Sequence, residues 1–288
     1  MSTQITTAFV EQYSSNVSML AQQMGSRLRG AVDVETIRGK HAFFDQIGVT
    51  AAQVRSTRHG ATPQINTPHS RRRVGLADYE WADLIDDLDK VRMLVDPTSS
   101  YAKAAAAAMN RSIDDVIIAA IGGQAQTGVS GGTNQALPAA SKFATSAQSD
   151  GMTIAKLLAA KHFLDAGDVD PSLKRYIVCG AKQIQDLLGT TSVTSADFNT
   201  VKALAAGQVD SFLGFQFIMS NRLALANTDD RLCYAFTEDA VKLAIGSDVK
   251  AKISERDDKS YATQVYYSMA LGAVRMEEEK VFEIPCDE

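Results

Sequence analysis

The chain has 288 residues, 45% of them hydrophobic, and a formal net charge of −5. These totals support a sizeable core in one large or two modest domains, and they argue against a dedicated nucleic-acid binder, which is usually basic overall. Three widely spaced cysteines, Cys179, Cys233 and Cys286, form no CxxC pair, which speaks against a disulfide framework or a structural zinc site.

The N-terminal "MSTQITTAFVEQYSSN" has neither a basic start nor an apolar run, so no signal peptide is expected. No apolar stretch is long enough to cross a bilayer, and free thiols suit a reducing compartment. Cytoplasmic synthesis and assembly are the expectation. Phe9, Tyr13, Val17, Leu20, Met24 and Leu28 recur at spacings of three and four, which predicts an amphipathic helix over 6–28.

"HAFFDQIGVTAAQVR" reads as short strand pieces around Gly48. "STRHGATPQINTPHS" is a long polar connection with Gly60, Pro63 and Pro68. Between flanking strand-like segments it predicts a hairpin with an extended tip. The stretch from Arg55 to Arg73 carries Arg55, Arg58, Arg71, Arg72 and Arg73 and no acid. Asp78, Glu80, Asp83, Asp86, Asp87 and Asp89 follow directly.

"DPTSSYAKAAAAAMNRSIDDVIIAAIGG" predicts a long helix over 99–121, with a break near Asn110 if Ser112 and Asp115 form a capping box. Gly122-Gly123 ends it. Residues 124–150, rich in Gly, Ser, Thr and Ala, read as a long loop with short strands. The second half reads as α/β. Thr153 caps a helix with Ile154, Leu157, Leu158 and Phe163 inward. "KRYIVCG" is a strand, "AKQIQDLLG" a helix, and "TSADFNTVKALAAGQV" a small helix and turn. "FLGFQFIMSN" and "RLCYAFT" are strands, and "EDAVKLAIG" is a short helix. Two long strands then flank "ERDDKS", and "KVFEIPC" closes the chain as a strand.

Chemical motifs are sparse. Gly128-Val129-Ser130-Gly131-Gly132 matches G-x-S-x-G, but a nucleophile elbow needs a strand before the serine and a helix after it. Here a helix precedes and "TNQALP" follows, so a hydrolase using Ser130 is the weaker reading. His41, His59, His69 and His162 show no paired metal spacing. Cys179, ahead of a helix start, is read as a buried hydrophobe rather than an activated thiolate. Glu277, Glu278 and Glu279 on a strand would alternate faces and make a solvated or interface edge. No catalytic residue, metal site or cofactor is expected.

The order of these elements is an α+β arrangement that resembles the major capsid proteins of tailed bacteriophages, the HK97 fold. "DPTSSYAKAAAAAMNRSIDDVIIAAIGG" is similar to that family's spine helix. "FLGFQFIMSNRL" is similar to its axial-domain strand, and "LCYAFTEDAVKLAIG" with the strand pair after it is similar to its C-terminal end. The resemblance implies an N-arm over 1–32, a first peripheral-domain segment over 33–48, and an extended β-hairpin loop over 49–80. It further implies a peripheral domain over 81–150 with its spine helix, an axial domain over 151–275, and a returning peripheral strand over 276–288. The function it implies is a structural shell protein, not an enzyme. Copies would assemble as hexamers and pentamers into an icosahedral virion capsid around double-stranded DNA held by non-specific contact. A separate scaffolding protein, a portal and a decoration protein are the implied partners, with no membrane. An encapsulin-type compartment is the alternative with the same fold; a nucleic-acid-binding module ranks below it. On this reading Arg55, Arg58, Arg71, Arg72 and Arg73 would dock on a neighbour's Asp83, Asp86, Asp87, Asp89, Asp114 and Asp115.

Overall fold

A computed structural model describes residues 22–62, 64–85, 98–143, 150–189, 211–226 and 230–288. The elements in chain order are β1 (Asp33–Thr36), β2 (His41–Ile47), β3 (His69–Gly75), β4 (Ala77–Ile85), α1 (Thr98–Gly122), β5 (Ala125–Thr127), β6 (Thr133–Gln135), α2 (Ile154–Ala166), β7 (Arg175–Cys179), α3 (Ala181–Gly189), β8 (Ser211–Phe212), β9 (Phe215–Met219), β10 (Asp230–Thr237), β11 (Val241–Arg256), β12 (Ala262–Arg275) and β13 (Val281–Asp287). Three sheets result, ordered β1-β11-β12-β4, β13-β10-β7-β9-β8 and β2-β3-β5-β6. Two compact units are formed. One comprises Met1–Gly25, Asp78–Ser112 and Ser247–Met269; the other comprises Ser26–Ala77, Ile113–Gly246 and Ala270–Glu288. α1 and the β11–β12 hairpin each contribute residues to both.

In the first unit, Ala105, Ala107 and Met109 of α1 are buried, and so are Val265 and Met269 of β12. The expected break near Asn110 is absent. Ser112 Oγ donates back to Ala108 O at 3.2 Å, so it bonds within the helix instead of capping a new one. Asn110 Nδ2 donates to Met24 O, and Arg111 Nη1 to Gln22 Oε1. The hairpin tip turns through Ser260 and Tyr261, both in the left-handed region.

In the second unit, β2 and β3 form an antiparallel ladder from His41–Gly75 to Ile47–His69. β3 continues into β5, and β5 into β6. This sheet packs on a core of Ile37, Phe44, Val74, Ala125, Ala244, Val274 and Met276. In the five-stranded sheet, β7 is buried along its whole length and pairs parallel with β9. A parallel pair requires a crossover connection, and α3 lies on it. Leu213 and Gly214, both at positive φ, turn β8 back onto β9, so "FLGFQFIMSN" is a tight hairpin rather than one strand.

Several expectations are corrected. "EDAVKLAIG" is not a helix: β11 begins at Val241, where it pairs parallel with β1. Its Val241, Leu243, Ala244 and Ile245 are buried. Lys242 on the same strand ion-pairs with Asp33 and Glu35 of β1. Sheet pairing here outweighs a local helical pattern. On α2 the buried positions are Lys156, Leu157, Ala160 and Leu164, while Leu158 is half-exposed. Lys156 is tolerated inside because its Nζ donates to Asp150 O and Pro285 O. Thr153 does cap this helix, accepting from Lys156 N. Most of the N-terminal amphipathic segment and all of "TSADFNTVKALAAGQV" lie outside the described residues; its described end, 22–28, is not helical.

Gly272 of β12 lies against the backbone of Gly75: a methyl group there would sit 2.2 Å from Gly75 O. At Gly30 nothing lies within 4 Å of that position. Gly272→Ala should therefore destabilise the protein by about 1–3 kcal/mol through overpacking, whereas Gly30→Ala should stay near wild type. Chemical denaturation of the two variants checks this.

Candidate functional site: the root of the basic loop

The three adjacent arginines occupy one strand, β3, and successive side chains of a strand point to opposite faces. The pleat therefore divides the block. Arg72 turns inward with Val74 and is 5% exposed, while Arg71 and Arg73 turn outward.

Arg72 spends its donors on its own chain. Nε donates to Met276 O at 2.8 Å, Nη1 to Gln135 Oε1 at 3.0 Å, and Nη2 to both Glu278 oxygens at 2.9 and 2.6 Å. Arg275, fully buried, reaches the same carboxylate, with Nε 3.5 Å from Glu278 Oε1. Its Nη1 donates to Ile121 O and Gly123 O, and its Nη2 to Gln135 O. A buried guanidinium thus caps the C-terminal end of α1, where carbonyls lack intrahelical partners and the helix dipole is negative. Burial pulls the Arg275 guanidinium below its ordinary range, and Glu278 opposes that effect.

Arg71 lies opposite Asp45 in the ladder. It makes a two-pronged pair, Nε to Oδ1 at 2.5 Å and Nη2 to Oδ2 at 3.2 Å, and its guanidinium stands over the Phe43 ring. The Arg71 hydrogen bond holds the Asp45 carboxyl below the usual carboxylate range. Arg73 Nη2 donates to His41 Nε2 at 2.9 Å. Its stem lies on Gly131, where an added methyl would come within 2.2 Å of Arg73 Cδ. Gly131 also has φ +69°, so the glycine run has a structural reason: the β5–β6 turn must let Arg73 pass. Ser130 sits in that turn and strand β6 follows it, which is not the geometry of a nucleophile elbow.

Among the predicted acids, Asp114 is fully buried and faces inward. It accepts from Ser26 Oγ at 2.6 Å and from the backbone N–H groups of Arg27 and Leu28 at 3.1 Å. It pins the segment leading into β1, and this side-chain cap takes the place of the helix expected there. Asp115 is paired with Arg222, whose guanidinium it holds above its ordinary range. Asp83 lies half-buried on β4. Asp86, Asp87 and Asp89 lie outside the described residues.

Arg55 and Arg58 have a different setting. They lie on the segment 48–68, which has no strand or helix among its described residues. Its neck is closed by Gly48 N donating to Pro68 O at 2.8 Å. Arg55 Nε donates only to nearby Thr57 O, and Arg58 has no partner among the described residues. Val49 and Val54 of this loop are 98% and 95% exposed. The strand pairs expected at 51–55 are not formed; the hairpin's ladder lies lower, at 41–47 and 69–75.

Sequence reasoning missed Arg275 and Gln135 and misplaced Glu278. Glu277, Glu278 and Glu279 lie in the turn between β12 and β13 rather than on a strand, and the Glu278 carboxylate is taken up by Arg72 and Arg275 instead of forming a solvated edge. The signal that was available is that an arginine within an alternating strand has a side, and an inward one needs a buried acid. The three cysteines are all buried and free. Burial, helped by Cys286, pushes the Cys179 thiol up to about 12, which fits a packed hydrophobe.

Two predictions follow from this root. Glu278→Ala strands Arg72 and Arg275 inside, so it should cost about 3–5 kcal/mol; Asp45→Ala, at an exposed pair, should leave the urea midpoint nearly unchanged. Beside the root, burial raises the Asp239 carboxyl, but bonds from Lys280 and Thr237 outweigh it and leave it below its ordinary value. The stability Asp239 provides is therefore fully present above the unfolded carboxyl value of about 4 and is lost as pH falls through the lower folded value. The stability gap between wild type and Asp239→Asn should be open at neutral pH and closed in strong acid, which a pH series of unfolding curves would show.

No curated protein matches the chain by sequence. The family model described as phage capsid protein matches residues 5–288. Among solved structures, the capsid structure of cyanophage P-SCSP1u is 18% identical with a TM-score of 0.76, covering 97% of this chain and 93% of that one. A structure of Mycobacterium phage Che8 is 18% identical with a TM-score of 0.71, covering 96% and 97%. The capsid asymmetric unit of cyanophage Pam1 is 13% identical with a TM-score of 0.73, covering 98% and 97%. At these identities the likeness concerns the fold, which is of the HK97 type.

Proposed function

This chain belongs to the phage capsid protein family, and we propose that its copies close into an icosahedral shell as hexamers and pentamers around packaged double-stranded DNA. It is a structural major capsid protein of the virion. The observation that carries the assembly reading is the loop 48–68. It bears Arg55 and Arg58, contains no acid, and leaves two valines uncovered. Loops of this length without regular structure are uncommon in compact domains, and functional binding loops are one of the two usual reasons for them. The loop docks on a neighbouring copy of this acidic chain, and charge complementarity sets the register of that contact. Asp83 is one acid available to receive it, with Asp86, Asp87 and Asp89 beside it in sequence.

The outward Arg71 and Arg73 can extend the basic surface along the loop's root while keeping their own-chain partners. Arg72, Asp114 and Asp115 serve the fold of the subunit. Assembly takes place in the host cytoplasm on a separate scaffolding protein, with a portal and a decoration protein as further partners. The packaged DNA is held by non-specific contact.

Arg55→Glu with Arg58→Glu should leave a folded, soluble subunit that forms no shells by electron microscopy. Normal shells from this variant would defeat the docking reading. Assembly of the wild type should also slow as salt rises above about 0.15 M, where the Debye length is about 8 Å, and light scattering would follow it.

A further inference from the structure

The root of the loop borders a groove of about 770 Å³. Ile47, Val49, Phe163 and Met276 supply an apolar wall, and Glu277 and Glu279 an acidic one. Ile47 is 72% exposed at its rim. Glu278 and Arg72 also line the groove, but they are engaged with each other. Glu277 is shared with Lys280 at 3.2 Å, and Glu279 is exposed with no partner among the described residues. The groove therefore offers an apolar surface next to the Glu279 carboxylate, unpartnered among the described residues, and the shared one of Glu277.

We propose that this groove receives the loop of a second copy, with Arg55 and Arg58 meeting Glu277 and Glu279 and Val54 covering the apolar wall. The proposal rests on the docking of the loop on a second copy and moves the receiving acids from Asp83 and its sequence neighbours to Glu277 and Glu279 of this groove. Its support is complementarity of two kinds. The loop carries two unpaired cations beside an uncovered valine, and the groove carries the exposed Glu279 carboxylate, and Glu277 whose partner Lys280 is also claimed by Asp239, beside uncovered Ile47 and Val49. Among the described residues Arg55 bonds only to Thr57 O and Arg58 has no partner, so neither arginine uses the groove of its own subunit. The two surfaces differ, so the contact is heterologous. Repeated by rotation, such a contact closes a ring.

Three variants test it: Arg55→Glu/Arg58→Glu, Glu277→Arg/Glu279→Arg, and both together. Each pair alone should lower shell yield by roughly tenfold or more, and the combination should recover it, because opposite charges again face each other. If the loop variant assembles normally, the docking reading itself fails. If the loop variant is blocked while the groove variant assembles normally, only the address is overturned. A second measurement guards against a groove variant that does not fold. Arg58→Cys with Glu279→Cys, oxidised with glutathione disulfide after assembly, should link copies covalently on a non-reducing gel. The three native cysteines are buried and do not compete. Assembled shells that yield no interchain bond would overturn the groove as the receptor.

Discussion

Glu278 sits between two guanidiniums, Arg72 from β3 and Arg275 from β12, both turned inward. Neither arginine could stay buried alone, because an unpaired interior charge is far more unfavourable than a paired one. The carboxylate therefore sets where three parts of the second unit meet. Arg72 brings the root of the basic loop to it. Arg275 brings the end of the spine helix, through Ile121 O and Gly123 O. Gln135 completes the cluster, accepting from Arg72 with its side chain and from Arg275 with its backbone.

The loop needs a rigid base from which to project. The β2–β3 ladder supplies that base, with the Arg72 cluster on one face and the Arg71–Asp45 pair on the other. Beyond the Gly48–Pro68 neck the chain makes no ladder, and its apolar and basic side chains face solvent. Charge is thus used in two ways over a short stretch of sequence. Inside, it is matched one group to another and specifies the fold. Outside, on the loop, Arg55 and Arg58 have no acidic partner among the described residues.

Much of the fold was legible in the sequence. The alanine run and Gly122-Gly123 marked the spine helix because propensity and termination signals agree there. "KRYIVCG", "RLCYAFT" and "KVFEIPC" marked three strands of the five-stranded sheet, where short apolar runs suit burial on both faces. The loop's charge bias was visible in the same way. The site was less legible. Three adjacent arginines read as one patch only until the strand is known, since the pleat then gives Arg72 to the core and its neighbours to the surface. Asp114 read as an outward acid because its partners, the backbone N–H groups of Arg27 and Leu28, lie far away in sequence.

By itself the sequence determined the spine helix, three strands of the five-stranded sheet, the family likeness and the presence of an acid-free basic loop. These rest on local propensity, hydrophobic period and composition, which a linear chain displays directly. Only the tertiary structure decided which charges are internal, that Val241 begins a strand, and that Glu278 joins loop root to helix end. Those outcomes depend on pairing between segments remote in sequence: β1 with β11, β3 with the turn after β12, and the segment before β1 with α1. Burial and partner identity arise only when such segments meet, so no local pattern could have encoded them.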